Sequence, residues 1–150
     1  MKITSINHDP LADYDLLFIG SACHDADLAK PVLKLLDDLP QSPSFKVAGF
    51  VTHSTYKAEG GKRREELHER WAGKCKKSFS HLCEEKNIEF LGYFNCLGAP
   101  SPEIADFIHR EIVTDDNEWN EYIEEVMIHP DQADIEEAEN FAKKVIDKLG

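Results

Sequence analysis

Asp13–Val32 reads DYDLLFIGSACHDADLAKPV. Leu16 to Ile19 form a continuous apolar run, the pattern of a strand covered on both faces. Gly20 and Ser21 follow, and then Cys23, His24, Asp25 and Asp27 arrive together. A buried strand here delivers polar and reactive side chains to its carboxyl end.

The same pattern returns twice. FKVAGFVT, from Phe45 to Thr52, and IEFLGYF, from Ile88 to Phe94, are apolar and strand-like, and KITSI near the amino terminus makes a short further strand candidate. Helices lie between them. DLAKPVLKLLDDL repeats Leu28, Val32, Leu35, Leu36 and Leu39 at helical spacing, with Pro31 accommodated in the first turn. From about Lys62 to Lys86 a longer helix sets Leu67, Trp71, Cys75, Phe79, Leu82 and Cys83 on one stripe, with Gly73 inside it at modest cost. NCLGAPSPE then reads as a loop that leads into a helix with Ser101 as cap and Pro102 in its first turn. EIADFIHREI and NEWNEYIEEVMI are helical. A final helix from about Asp134 turns Ile135, Ala138, Phe141, Ala142, Val145 and Leu149 inward, behind the turn and cap residues HPDQAD. Trp71 and Trp119 read as packing residues, and Glu121, Glu124, Glu125 and Asp131 as a solvated acidic face. There is no repeat, linker or low-complexity stretch, so residues 1–150 are expected to form one domain.

Strands joined by helices indicate a three-layer α/β sandwich, a mostly parallel sheet with helices on both faces. Ligands of such sheets bind beyond the carboxyl ends of the strands. Three loops are expected to gather there: 20–27, 52–61 and 95–101. They supply Ser21, Ala22, Cys23, His24 and Asp25 from the first loop. Thr52, His53, Ser54, Thr55, Tyr56, Gly60 and Gly61 come from the second, and Asn95, Cys96 and Gly98 from the third.

A formal charge of −12, from 17 Lys and Arg against 29 Asp and Glu, argues against nucleic acid, whose phosphates need cationic neutralisation, and against anionic membrane surfaces. It suits a basic protein partner. No signal peptide and no apolar run of membrane-spanning length is visible. The four cysteines form no CxxC pair, and Cys75 and Cys83 on one helix stand roughly 12 Å apart, beyond disulfide reach. A reduced, cytoplasmic setting is expected.

DYDLLFIGSACHDADLAKPV resembles the third strand and first flavin-ring loop of flavodoxins. KVAGFVTHSTYKAEGG is similar to their fourth strand and second ring loop, and HPDQADIEEAENFAKKVIDKL to their closing helix. The resemblance implies FMN held by its isoalloxazine ring, with Ser21–Asp25 as one wall, Thr52–Tyr56 with Gly60 and Gly61 as the other, and Asn95–Gly98 near the ring's edge. It implies Tyr56 as a stacking partner, His24 as a ring neighbour, and a low potential from Asp25, Asp27 and the overall charge. MKITSINHDPLADYDLL resembles the family's second strand passing straight into the third, so the chain is expected to be amino-terminally truncated, without the first strand, phosphate-binding loop and first helix. Loss of an interior strand leaves unpaired backbone and an uncovered apolar sheet face, which favours a homo-oligomer.

The function expected from the resemblance is an FMN-binding electron-transfer protein, an electron carrier before a catalyst, with FMN-dependent reductase activity as an extension. The alternative is a flavodoxin scaffold that has lost FMN and serves as an oligomeric interaction module. A thiol enzyme built on Cys23 is a third reading, weakened because neighbouring side chains on an extended segment point apart. HDAD lacks chelating spacing, so no metal is expected.

Overall fold

The computed structural model describes residues 9–150. The expected strand at KITSI lies outside the described residues. After a 3-10 turn at Asp9–Asp13, the chain forms strand β1 (Leu16–His24), a two-residue strand β2 (Asp27–Leu28), helix α1 (Lys30–Asp38), strand β3 (Lys46–His53), helix α2 (Lys62–Glu85) and strand β4 (Phe90–Leu97). Helices α3 (Pro102–Glu111), α4 (Asp116–Val126) and α5 (Gln132–Asp147) follow. The sheet order is β2-β1-β3-β4. β1 and β3 run parallel with Phe18 opposite Ala48, β3 and β4 run parallel with Phe50 opposite Phe94, and β2 folds back antiparallel with Leu28 beside Cys23.

Alternation along the strands divides the apolar residues between two faces. On one, Ile19, Val47 and Val51 pack with Val32, Leu35 and Leu36 of α1 and Cys75, Phe79 and Cys83 of α2. Gly49 lets α2 approach, since a Cβ there would sit 2.8 Å from two ring carbons of Phe79. On the other face Ala48 and Leu91 bury Val145 of α5, with Leu16, Phe141 and Leu149 around them. Phe141 stacks on Phe94 at 5.8 Å and meets Phe18 edge-on at 6.4 Å. Toward β1 this second face opens: Phe18 stays 39% and Phe50 41% exposed.

The helices start where their chemistry allows. Ser101 Oγ accepts the Ile104 N–H at 3.4 Å behind Pro102. Asp115 accepts from Asn117 and Glu118 at 3.1 and 2.9 Å, and Asp131 and Asp134 form a reciprocal capping box on α5. α3 and α4 do not join the sheet's two cores. Ile108 of α3, Val113 of the connection, and Tyr122 and Val126 of α4 build a separate cluster on Tyr56, with Leu67 of α2 against it.

Four details correct the sequence-based expectation. β1 does not stop at Gly20 but continues through His24, and the chain then reverses in a tight turn at Asp25 and Ala26, both at positive φ (51° and 64°). Leu28 belongs to β2, where it is buried, rather than to the first helix. Asn95 and Cys96 are strand residues of β4, because the ladder with β3 runs on to His53–Leu97. Ile135 faces outward at 48% exposure, while its neighbour Asp134 takes the buried position that caps α5. Among the described residues no helix is long and apolar enough to cross a membrane.

Candidate functional site

At the carboxyl end of the sheet lies a cavity of about 560 Å³, bounded by Ala22–Ala26, Thr52–Tyr56 and Gly98–Ser101. Its far wall comes from Trp71 of α2, from Ile104, Phe107 and Ile108 of α3, from Ile112 and Val113 behind them, and from Tyr122 of α4. The volume falls within the usual range for small-molecule sites. Parallel strands explain the convergence: β1, β3 and β4 all point their carboxyl ends the same way, so the segments leaving them meet.

His53, at the end of β3, is the most constrained polar residue of the lining. Only 3% of it is exposed. Its Nε2 lies 2.9 Å from Asn95 Oδ1, which accepts that proton, so Nδ1 carries the lone pair. Nδ1 is buried and has no hydrogen-bond partner among the described residues. Burial drives the imidazole pKa down to about 4 against the opposing hydrogen bond to Asn95, with His68 and Lys57 adding repulsion. His53 is therefore a neutral acceptor at neutral pH. His68 meets it edge-on at 5.0 Å and itself donates to the Tyr56 carbonyl at 2.8 Å.

Tyr56 is buried. Its hydroxyl donates to Glu118 at 3.2 Å, the Arg64 guanidinium lies 4.6 Å over its ring, and Tyr122 packs edge-on at 5.4 Å. Burial, then the Glu118 charge, push its pKa up to about 12. Tyr56 thus fastens the loop to α2 and α4 and offers the cavity little free ring surface. Tyr122 ties the same loop down by donating to the Ser54 carbonyl. The aromatic surface open to the cavity belongs instead to Trp71 and Phe107, which meet edge-on at 5.9 Å.

Of the residues expected at the site, Ala22, Cys23, His24, Asp25, Thr52, His53, Ser54, Thr55, Tyr56 and Gly98 line the cavity. Ser21, Gly60, Gly61, Asn95 and Cys96 do not. Ser21 Oγ accepts the Ala29 N–H at 2.9 Å and so ties β1 to the start of α1. Gly60 and Gly61, at φ of 113° and 106°, form the turn into α2. Asn95 Oδ1 is hydrogen-bonded to His53, and Cys96 is buried within the sheet. His24 is a rim residue, 3.2 Å from Asp25. Asp27 is turned away and neutralised, 2.9 Å from Lys74 and accepting from Ser78 at 2.6 Å. The wall supplied by α3 escapes sequence reasoning altogether. Its apolar spacing at Ile104, Phe107 and Ile108 signals a buried helix face without saying what that face covers.

His129, Asp131 and Asp134 bring three metal-type ligands together; most of their polar atoms are engaged with one another, while Asp134 Oδ1 is buried without a hydrogen-bond partner among the described residues. Asp134 Oδ2 accepts from His129 Nδ1 and, at 2.9 Å, from the Asp131 N–H. Asp131 Oδ1 accepts the Asp134 N–H at 3.0 Å, and Lys57 lies 3.6 Å from Asp134 Oδ1. The cluster caps α5 and ties it to the loop after β3. Burial raises the Asp134 carboxyl pKa, but the hydrogen bonds from His129 and Asp131 and the nearby Lys57 charge outweigh it and hold it below the ordinary range. A depressed carboxyl contributes stability that is present above its unfolded pKa and is lost as pH falls through the folded one. Asp134→Asn is expected to cost about 2 kcal/mol at pH 7, measured by urea unfolding, with the difference from wild type shrinking below about pH 4.

No curated protein matches the chain. The family model described as "Flavodoxin domain" matches residues 1–143, almost the whole chain, and agrees with the parallel β1-β3-β4 core flanked by helices. The chain belongs to the flavodoxin domain family.

Proposed function

We propose that the chain binds the isoalloxazine ring of FMN in the cavity at the strand ends and serves as an electron-transfer protein. The observation that carries this reading is the cavity itself: three strand-end segments meet an aromatic wall, beside a buried histidine nitrogen left without a partner. Trp71 and Phe107 offer apolar surface to a flat heteroaromatic ring. His53 Nδ1 suits a ligand that donates a proton, because an unpaired buried acceptor costs free energy until it is met. Asp25 at the rim sets a negative field at the mouth. A bound flavin supplies one- and two-electron chemistry. With a net charge of −12, the redox partner that fits is basic.

The cavity suits the ring better than the phosphate. Among the described residues no Lys or Arg lines it, so ring contacts carry most of the affinity. Titration with FMN, followed by quenching of flavin fluorescence, is expected to saturate at one flavin per chain. Phe107→Ala, a substitution at a part-exposed position of α3, is expected to weaken binding roughly tenfold, the range of one lost stacking contact. A chain that stays colourless after incubation with excess FMN and desalting overturns the reading. That result selects the alternative, a flavodoxin scaffold acting as an interaction module, which the exposed Phe18 and Phe50 on the open sheet face favour.

A further inference from the structure

We propose that Cys23 and Cys75 form a redox-active dithiol, in which a small hydroperoxide entering the cavity oxidises Cys23 and Cys75 resolves it to a disulfide. This goes beyond flavin binding and does not depend on it. The two sulfurs come from different elements, the end of β1 and the middle of α2, and lie 3.4 Å apart. A disulfide bond of ~2.05 Å needs them to close by about 1.4 Å.

Exposure fixes the order of events. Cys23 is half-buried and lines the cavity, whereas Cys75 is sealed in the core. A reagent in the cavity therefore meets Cys23 first. The hydrogen bond between the two thiols sorts them in the same direction, although the Cys23 thiol also donates to the Trp71 carbonyl at 3.1 Å. Cys75 donates to Cys23 Sγ, which lowers the Cys23 pKa against the opposing effects of burial and Asp27, while the same contact and burial push Cys75 up. Cys83 and Cys96 are buried.

The chemistry balances with the peroxide as the only oxidant. Cys23 sulfur attacks the terminal peroxide oxygen, the O–O bond breaks, and the remaining oxygen leaves as alcohol or water with the proton of the Cys23 thiol. Cys23 is then a sulfenic acid. Cys75 sulfur attacks the Cys23 sulfur, the S–O bond breaks, and hydroxide leaves as water with the Cys75 proton. Two thiols are oxidised and one peroxide is reduced.

The test is intact mass and thiol counting of the full chain after hydrogen peroxide treatment. Wild type is expected to lose two hydrogens and two titratable thiols, with a peptide map joining Cys23 to Cys75. Cys75→Ala is expected to stop at the sulfenic acid, trapped by dimedone on Cys23, and Cys23→Ser to keep its remaining thiols. Should Cys75→Ala fail to fold, Cys23→Ser and the wild-type map decide the matter. Retention of all four thiols by wild type, a bridge that maps elsewhere or between chains, or dimedone labelling of wild-type Cys23 at the level seen without Cys75 overturns the proposal.

Discussion

Phe79→Ala is expected to lower the free energy of unfolding by about 4 kcal/mol, the upper part of the range for truncating a buried aromatic. Phe79 has no exposed surface and sits where three elements meet. Its ring stacks on Phe90 at 5.8 Å and 10°, approaches Tyr93 at 6.2 Å, and fills the space that Gly49 leaves open on β3. Truncation would open a void between α2 and the sheet that neither neighbour can fill. Gly49 has no side chain to advance, and Val47 and Val51 flank it from fixed strand positions. Urea unfolding should show a lower midpoint at unchanged slope. Tyr14→Ala, at a position 56% exposed, is the control and should stay within about 0.5 kcal/mol. A Phe79→Ala cost under about 1.5 kcal/mol would mean that α2 is not packed on β3 as described.

The elements that were legible in the sequence are those whose period is set by one dominant neighbour. Leu16–Ile19 and Val47–Val51 read as strands because one face is covered by α1 and α2 and the other carries apolar residues that α5 covers in part, and the Cys75–Phe79–Cys83 spacing reads as helix because α2 lies along the sheet. The misreadings share a physical cause. Gly20, Ser21 and Ala22 are too small to show strand alternation, so the end of β1 looked like a loop. Its reversal uses Asp25 and Ala26 at positive φ, without a glycine to announce it. Trp71 has the same helical spacing as Cys75, but it belongs to the cavity wall, where Phe107 of α3 meets it. Period gives the face of a helix and not its neighbour. The site shows the same division. The three strand-end segments follow from topology, whereas the wall from α3 depends on a separate core around Tyr56 that no spacing encodes.

Acid is expected to remove about 3 kcal/mol of stability through His53 alone between pH 7 and pH 4. The folded pKa is about 4, against 6.5 for an imidazole open to water, because burial penalises the imidazolium. A group whose pKa is depressed on folding contributes stability that is present above its unfolded pKa. That contribution begins to fall below pH 6.5, as the unfolded chain takes up a proton that the native state refuses, and it is gone near pH 4. Asp134 acts in a lower window, so the two groups separate on the pH axis. His53→Leu is the informative variant. It loses the hydrogen bond to Asn95 and is less stable at pH 7, yet it has no imidazole to titrate. The stability difference between wild type and His53→Leu should therefore shift by about 3 kcal/mol in favour of the variant from pH 7 to pH 4, while contributions from all other titrating groups cancel. The His53 ring protons should titrate by NMR with a midpoint near 4 in the native state. A native midpoint at the ordinary histidine value would show that water reaches Nδ1, and it would take away the unpartnered acceptor on which the ring-binding site relies.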